Sequence, residues 1–461
     1  MTGVFLILAF LFFAVMMFRG KLPALLALPL LAFSLALIAG APLATIVTEG
    51  IPRLQNAIFA VIIGGIFGQY LKNTGIGESL VRRVAELAGD NPLTLTLLLT
   101  VIVSFLFTTL GGLGSVMMVA NIYFPVLLSL GIPPLLTGCI FLMALSLGGV
   151  FNIVNWALYM DMLGLSQEVV LHYALPFGLL FAVLLLIFVV VEFKRARLAV
   201  PLISLVKVIG GMVVVGEVIF LFVMLGPLPL ATQQVLSVAY KIMLGALIFL
   251  PFLHRRFLWT ALLAPFVPLS LVLFLGWNIL TAFLFGMAYL FMTALKWKTD
   301  EALAAKNKLL IQSIIEGIQH VAPAIAVMLG IGMVLIAVVQ PAVSQSLMPL
   351  IKSIIPRSLL GYVLTFGLLA PLALYRGPLN LWGMGSGLMG LLKGSLLLSN
   401  VSIMAAFFST GQIQGVCDPT NTHNVWVANQ LKVELNAILA KTLPYMWILA
   451  VVGLCLILLI K

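Results

Sequence analysis

The sequence predicts an all-α polytopic membrane protein with about 12 transmembrane helices and two re-entrant hairpins in an inverted repeat. Three observations carry this expectation. Of 461 residues, 63% are hydrophobic and only 8% charged, against about 25% charged in an ordinary soluble domain. The 24 Lys and Arg outnumber the 13 Asp and Glu, for a net charge of +11, and they stand in short loops between apolar runs. There they report topology rather than a nucleic-acid surface. Two glycine-rich interruptions, Gly111–Ser115 and Gly377–Gly387, lie inside apolar stretches at corresponding places in the two halves. The mean hydropathy is +1.26, and the longest strongly polar stretch, Lys296 to Lys308, is too short for a catalytic domain.

The first span, Met1 to Phe18, has no positive n-region before it and is followed by Arg19 and Lys21, which sets it with its N-terminus outside and excludes a secretory signal peptide. A second span, Leu22 to Gly40, emerges at the loop holding Glu49, and a third, Ala57 to Leu71, returns to Lys72, Arg82 and Arg83. That last segment, charged with both signs, reads as a short amphipathic helix at the interface. Leu93 to Leu130 is the first hairpin: two apolar runs joined at Gly111-Gly112-Leu113-Gly114-Ser115, where glycines allow a buried turn. Spans Leu135–Met160 and His172–Val191 then end at Asp161 and Glu168 outside and Lys194-Arg195-Ala196-Arg197 inside.

A connecting pair follows, out to Gly226-Pro227 and back to His254-Arg255-Arg256. Another pair runs to about Gly276 and back to Lys296, and a long span covers Leu310 to Val339. The second hairpin, 358–392, has Tyr375-Arg376-Gly377-Pro378 and Gly383-Met384-Gly385-Ser386-Gly387 at its centre. The span holding Ser409 to Asn424 returns inside to Lys432, and Ile438 to Ile460 finishes outward. The halves are thus 1–198, with its hairpin near 93–130, and 257–461, with its hairpin near 358–392, joined by the helix pair 199–256. In both halves the glycine turn is followed, within the next span, by Asn-x-x-Asn: Asn152 and Asn155, then Asn421 and Asn424.

The richest polar segment inside a predicted span is Ser409 to Asn424. Pro419 removes a backbone donor and disfavours helical geometry at Asp418, so a broken helix is expected there. Such breaks offer carbonyls to cations and helix N-terminal amides to anions. Asp418, with Thr420 and His423 beside it, is the candidate ion-coupling set; the alternative for Asp418 is a cap on the helix after Pro419, and for His423 a solvated residue at the membrane exit. Arg376, with Gly377 and Asn380, is the candidate anion site, since a guanidinium matches a carboxylate. Its alternative is an external residue snorkelling to headgroups. Gly114, Ser115, Asn152 and Asn155 in the first half, and Asn421 and Thr422 in the second, add neutral hydrogen-bonding groups, while the glycines equally suit close helix packing.

These glycine turns and Asn-bearing breaks, in this layout, resemble the ion transporter superfamily of secondary carriers, nearest its gluconate, citrate, lactate and C4-dicarboxylate branches. The resemblance implies one re-entrant hairpin and one interrupted helix per half, a substrate held between hairpin tips and breaks, and a homodimer in a bacterial cytoplasmic membrane. The chain ends are expected outside. The function it implies is H+- or Na+-coupled symport of small organic anions, carboxylates foremost, by alternating access; a sodium/proton antiporter is the alternative. No Walker-type Gly-x-x-x-x-Gly-Lys-Ser/Thr occurs. His172, His254, His320 and His423 are scattered, and Cys139, Cys417 and Cys455 lack ligand spacing, so no enzyme, metal centre or cofactor beyond the coupling ion is expected.

Overall fold

Helix ends fall where the sequence removes or redirects backbone donors. Gly40 ends α2 (Ala24–Ala39) in a left-handed conformation, φ 70°. Asn91 accepts from Thr94 N and Pro92 takes the first position of α6 (Pro92–Leu106). Ser358 and Ser399 start later helices in the same way. The computed structural model describes residues 2–87, 91–203, 230–253, 255–297, 303–356 and 358–459, together with residues 206, 210, 211, 213 and 217. The outward arm expected from Pro201 to Gly226 lies largely outside them.

In chain order the remaining helices are α1 (Thr2–Phe18), α3 (Leu43–Gly50), α4 (Gln55–Asn73), α5 (Ile76–Leu87), α7 (Gly112–Ser129), α8 (Pro134–Val150), α9 (Ile153–Leu163) and α10 (Gln167–Arg195). They continue with α11 (Leu230–Leu253), α12 (Val267–Leu275), α13 (Ile279–Trp297), α14 (Leu303–Val339), α15 (Pro341–Ile354) and α16 (Leu359–Leu368). Last come α17 (Gly385–Ser395), α18 (Asn400–Cys417), α19 (Thr422–Leu431) and α20 (Leu435–Cys455). The described residues contain no strand. Among them 7 helices are long and apolar enough to cross a bilayer, or 9 if each of two bent pairs is one crossing. Of the crossings expected, α1 and α2 are apolar but only 17 and 16 residues long, stopped at Gly20 and Gly40, and the arm from Pro201 lies largely outside the described residues. Conversely, α14 extends the expected Leu310–Val339 span to 37 residues.

The helices gather into two compact units. One comprises Met1–Ile58, Trp156–Leu180 and Ala322–Lys461; the other comprises Phe59–Asn155 and Phe181–Val321. Compactness therefore divides the chain differently from the sequence halves, and its boundaries fall within α4, α9, α10 and α14.

In the first unit α18 packs along α20. Tyr173 is fully buried beside them, its hydroxyl 2.6 Å from Ser409 Oγ and donating to Gly453 O at 3.0 Å. A phenolic hydroxyl at this depth needs such partners. Asp161 caps the start of α4, accepting from Ala57 N at 2.9 Å and Asn56 Nδ2 at 3.0 Å, where a carboxylate suits the helix dipole. In the second unit Thr96, Thr100 and Ser104 form a buried ladder on α6, each hydroxyl donating to the carbonyl four residues back.

Candidate functional site

The second glycine-rich segment folds into a tight tip in the first unit. After α16 the chain bends by 41° into a short 3-10 turn, Ala370–Arg376. Tyr375 and Arg376 both adopt left-handed backbone, φ 54° and 60°, which costs about 1 kcal/mol or more for a residue with a side chain. The surrounding backbone holds them there. Asn380, fully buried, donates from Nδ2 to Ala373 O at 3.1 Å and accepts at Oδ1 from Trp382 N at 2.9 Å. Its own carbonyl accepts from Gly383 N and Gly385 N, and Met384 N closes on Arg376 O at 3.1 Å. Gly383 is required by this closure, because a Cβ there would run into the Arg376 carbonyl. The half-buried Arg376 guanidinium makes a single described hydrogen bond, Nη1 to Trp382 O at 3.3 Å.

The expected helix break lies in the same unit. α18 stops at Cys417, and Asp418 is extended, φ −70° and ψ 116°, as a residue before proline should be. Asn421 caps α19. Asp418 is 0% exposed; its Oδ1 accepts from Thr420 N at 2.8 Å and Thr420 Oγ1 at 2.7 Å, while Oδ2 has no partner. Asn424 is 1% exposed and donates from Nδ2 to Val416 O at 3.1 Å and Asp418 O at 2.9 Å, while its Oδ1 has no partner. Because both Nδ2 contacts are carbonyl oxygens, the carboxamide orientation is fixed by chemistry. Two buried acceptor oxygens without donors therefore stand at the break. An unpaired polar atom at such depth is costly.

Hairpin tip and break are linked through α18. The Ala370–Arg376 turn packs against it, and Thr410 Oγ1 reaches Leu379 O at 3.3 Å. Arg376 lies close enough to Asp418 and His423 to interact with both electrostatically. Yet the ion pair found among the described residues is Arg195–Glu192, not Arg376–Asp418.

The second unit holds the first glycine turn and the bend of its own helix pair. α6 and α7 are joined through residues 107–111, with Gly112 at φ 79°. α8 and α9 meet at 51°. Asn152 sits in that bend with its side chain fully engaged, donating to Phe107 O at 2.8 Å and Leu110 O at 3.0 Å and accepting from Val154 N at 3.0 Å. The Asn-x-x-Asn pairs share their roles. Asn152 and Asn421 each accept from the first turn of the following half-helix, while Asn155 and Asn424 each donate to the carbonyl six residues upstream, Gly149 O and Asp418 O. Gly114 lies beside His320 Nε2 and Gln69 Oε1, and Ser115 is buried.

Of the residues expected from sequence, Arg376, Gly377, Asn380, Asp418, Thr420, Asn421, Thr422 and His423 fall in the first unit, and Gly114, Ser115, Asn152 and Asn155 in the second. Thr420 and Thr422 are exposed, and His423 is half-buried. Two features escaped the sequence. Asn424 carries an orphan oxygen, although its place three residues after Asn421 was a usable signal. Glu316 is half-buried and held by Gln69 Nε2 at 2.6 Å, Asn73 Nδ2 at 2.9 Å and Gln312 Nε2 at 2.7 Å. Nothing in the local sequence pairs α14 with α4.

The long apolar helices, interrupted helices and buried polar break define a polytopic helical membrane protein. No protein-family model matches the chain, and no curated protein matches it in sequence. A solved structure of the Alcanivorax borkumensis YdaH transporter, noted for an unusual topology, matches 99% of this chain and 98% of its own with a TM-score of 0.54 and 15% identity. At that identity the likeness establishes a shared fold.

Proposed function

We propose that this protein is a secondary carrier of small organic anions, carboxylates foremost, driven by a proton or sodium gradient. It acts by alternating access in a bacterial cytoplasmic membrane, as a homodimer with about 12 crossings, two re-entrant hairpins and the two sequence halves as an inverted repeat. One observation carries this reading. The Arg376 guanidinium stands at a strained hairpin tip with one long bond to a carbonyl and no described carboxylate in ion-pair contact, next to two buried acceptors that lack donors. A guanidinium left with open donors at membrane depth suits a carboxylate ligand, and the orphan oxygens suit the cation. That the structurally similar YdaH protein is a transporter agrees with the proposal.

Reconstitution into liposomes tests it, using labelled lactate, succinate, citrate and gluconate under separately imposed sodium and proton gradients. Uptake should appear under one gradient and vanish in Arg376→Ala. No uptake of any anion under either gradient refutes the carrier. The buried Asp418 favours one competitor, a sodium/proton antiporter. Sodium-driven proton flux retained in Arg376→Ala, with no carboxylate uptake by the wild type, selects that alternative.

A further inference from the structure

We infer that Arg376 and Asp418 form a charge-compensated pair that makes carboxylate and cation binding mutually obligatory, one monovalent cation for each carboxylate charge held at Arg376. This rests on the carrier reading above.

Asp418 is 0% exposed and leaves Oδ2 unpartnered; Arg376 is half-buried and offers one long hydrogen bond to a neutral carbonyl. The turn that carries Arg376 packs against α18, which ends at Cys417 beside Asp418, and the two charged groups are not in ion-pair contact. Each therefore neutralises the other at a distance, and each keeps its own binding capacity open. A carboxylate arriving at the guanidinium cancels the positive charge that offsets Asp418. The buried carboxylate is then uncompensated, a condition costly in a medium of low dielectric. A cation at Asp418 Oδ2 removes that cost. The converse holds equally: a cation bound first leaves Arg376 uncompensated until an anion arrives. Either ligand alone leaves one net charge inside, whereas both together, or neither, leave none.

The surroundings keep the account local. Among the described groups, Arg376 on the hairpin and Cys417 on α18 interact with Asp418, and His423 on α19 interacts with Arg376. From α20, Thr442 Oγ1 lies 3.2 Å from Cys417 Sγ. Asn424 cannot supply a donor to Asp418 by flipping, because its Nδ2 is held by two carbonyl oxygens. The missing partner must then come with the cation.

Binding to the full-length protein in detergent micelles decides the matter, read by the emission of its tryptophans, among them Trp382, whose carbonyl receives Arg376. Lactate, succinate, citrate and gluconate are titrated with Na+ replaced by choline at fixed pH, then with pH varied in choline, so that sodium and proton are separated. One cation should raise carboxylate affinity on the order of tenfold, and the carboxylate should raise affinity for that cation by the same factor. Asp418→Asn should bind carboxylate independently of the cation, and Arg376→Gln should bind the cation independently of carboxylate. A residue with a merely structural role would abolish both affinities when replaced. Carboxylate binding unaffected by both cations in the wild type, or a folded Asp418→Asn that keeps the wild-type cation dependence, overturns the inference alone. If neither variant folds, wild-type reciprocity still decides. Absence of binding by all four anions in every condition overturns the carrier reading and this inference with it.

Discussion

Replacing Asn152 and Asn424 by leucine in parallel separates a residue that builds a helix break from one that leaves it open to a ligand. The two occupy corresponding breaks, and leucine keeps the branched heavy-atom shape of asparagine while removing every polar atom. Asn152→Leu removes four described hydrogen bonds: two donated to Phe107 O and Leu110 O, and two accepted from Val154 N and Asn155 N. At about 0.6–1 kcal/mol each in a membrane interior, the loss is roughly 2–4 kcal/mol. Asn424→Leu removes two, to Val416 O and Asp418 O, or about 1–2 kcal/mol, but it also removes a buried acceptor that has no donor. Relief of that orphan returns about 1–3 kcal/mol, so the net cost lies near zero. The apparent melting midpoint in detergent, followed by circular dichroism, should therefore fall clearly for Asn152→Leu and stay near wild type for Asn424→Leu. Transport should fail in both, through unfolding in the first and through loss of the cation in the second. Equal destabilisation by the two substitutions would refute the distinction between a satisfied and an unsatisfied break.

Two further perturbations test the scaffolding. Gly383→Ala places a methyl group against the Arg376 carbonyl, so the hairpin tip must open; uptake should be lost while the bulk of the helical circular dichroism remains, and wild-type uptake would show that the tip is not held shut by this contact. Glu316→Gln keeps one acceptor oxygen for Gln69 and Asn73 but turns its NH2 toward Gln312, removes the negative charge, and should lower stability by about 1 kcal/mol. An unchanged melting midpoint would mean that the carboxylate does not clamp α14 to α4.

Much of the architecture was legible because punctuation in the sequence acts locally. Pro419 dictates extended backbone at Asp418, and the observed α18 ends one residue earlier. The first glycine turn falls between α6 and α7 as its position required, and the Asn-x-x-Asn pairs proved to share hydrogen-bonding roles as well as spacing. Helix length was less legible. Hydropathy cannot distinguish a crossing from a shorter apolar helix, as α1 and α2 show among the described residues. Long-range pairing was not legible at all: Gln69 and Glu316 are 247 residues apart, and their local partners, Asn73 and Gln312, sit one helical turn away and say nothing of the other helix.

What the asparagines do narrows where the chemistry can lie. Asn380, Asn152 and Asn421 all read from sequence as ligands, and in the structure each directs hydrogen bonds into backbone left free by a turn or break. Irregular backbone at membrane depth must have such partners, because no water is present to replace them. A carboxamide so engaged shapes a site but has little left to offer a solute. The capacity that remains is on Arg376, Asp418 and Asn424, where donors on one side and acceptors on the other go unmatched. Selectivity between a carboxylate and its neutral amide analogue should therefore trace to a single guanidinium, and dependence on a cation to two oxygens at the α18 break.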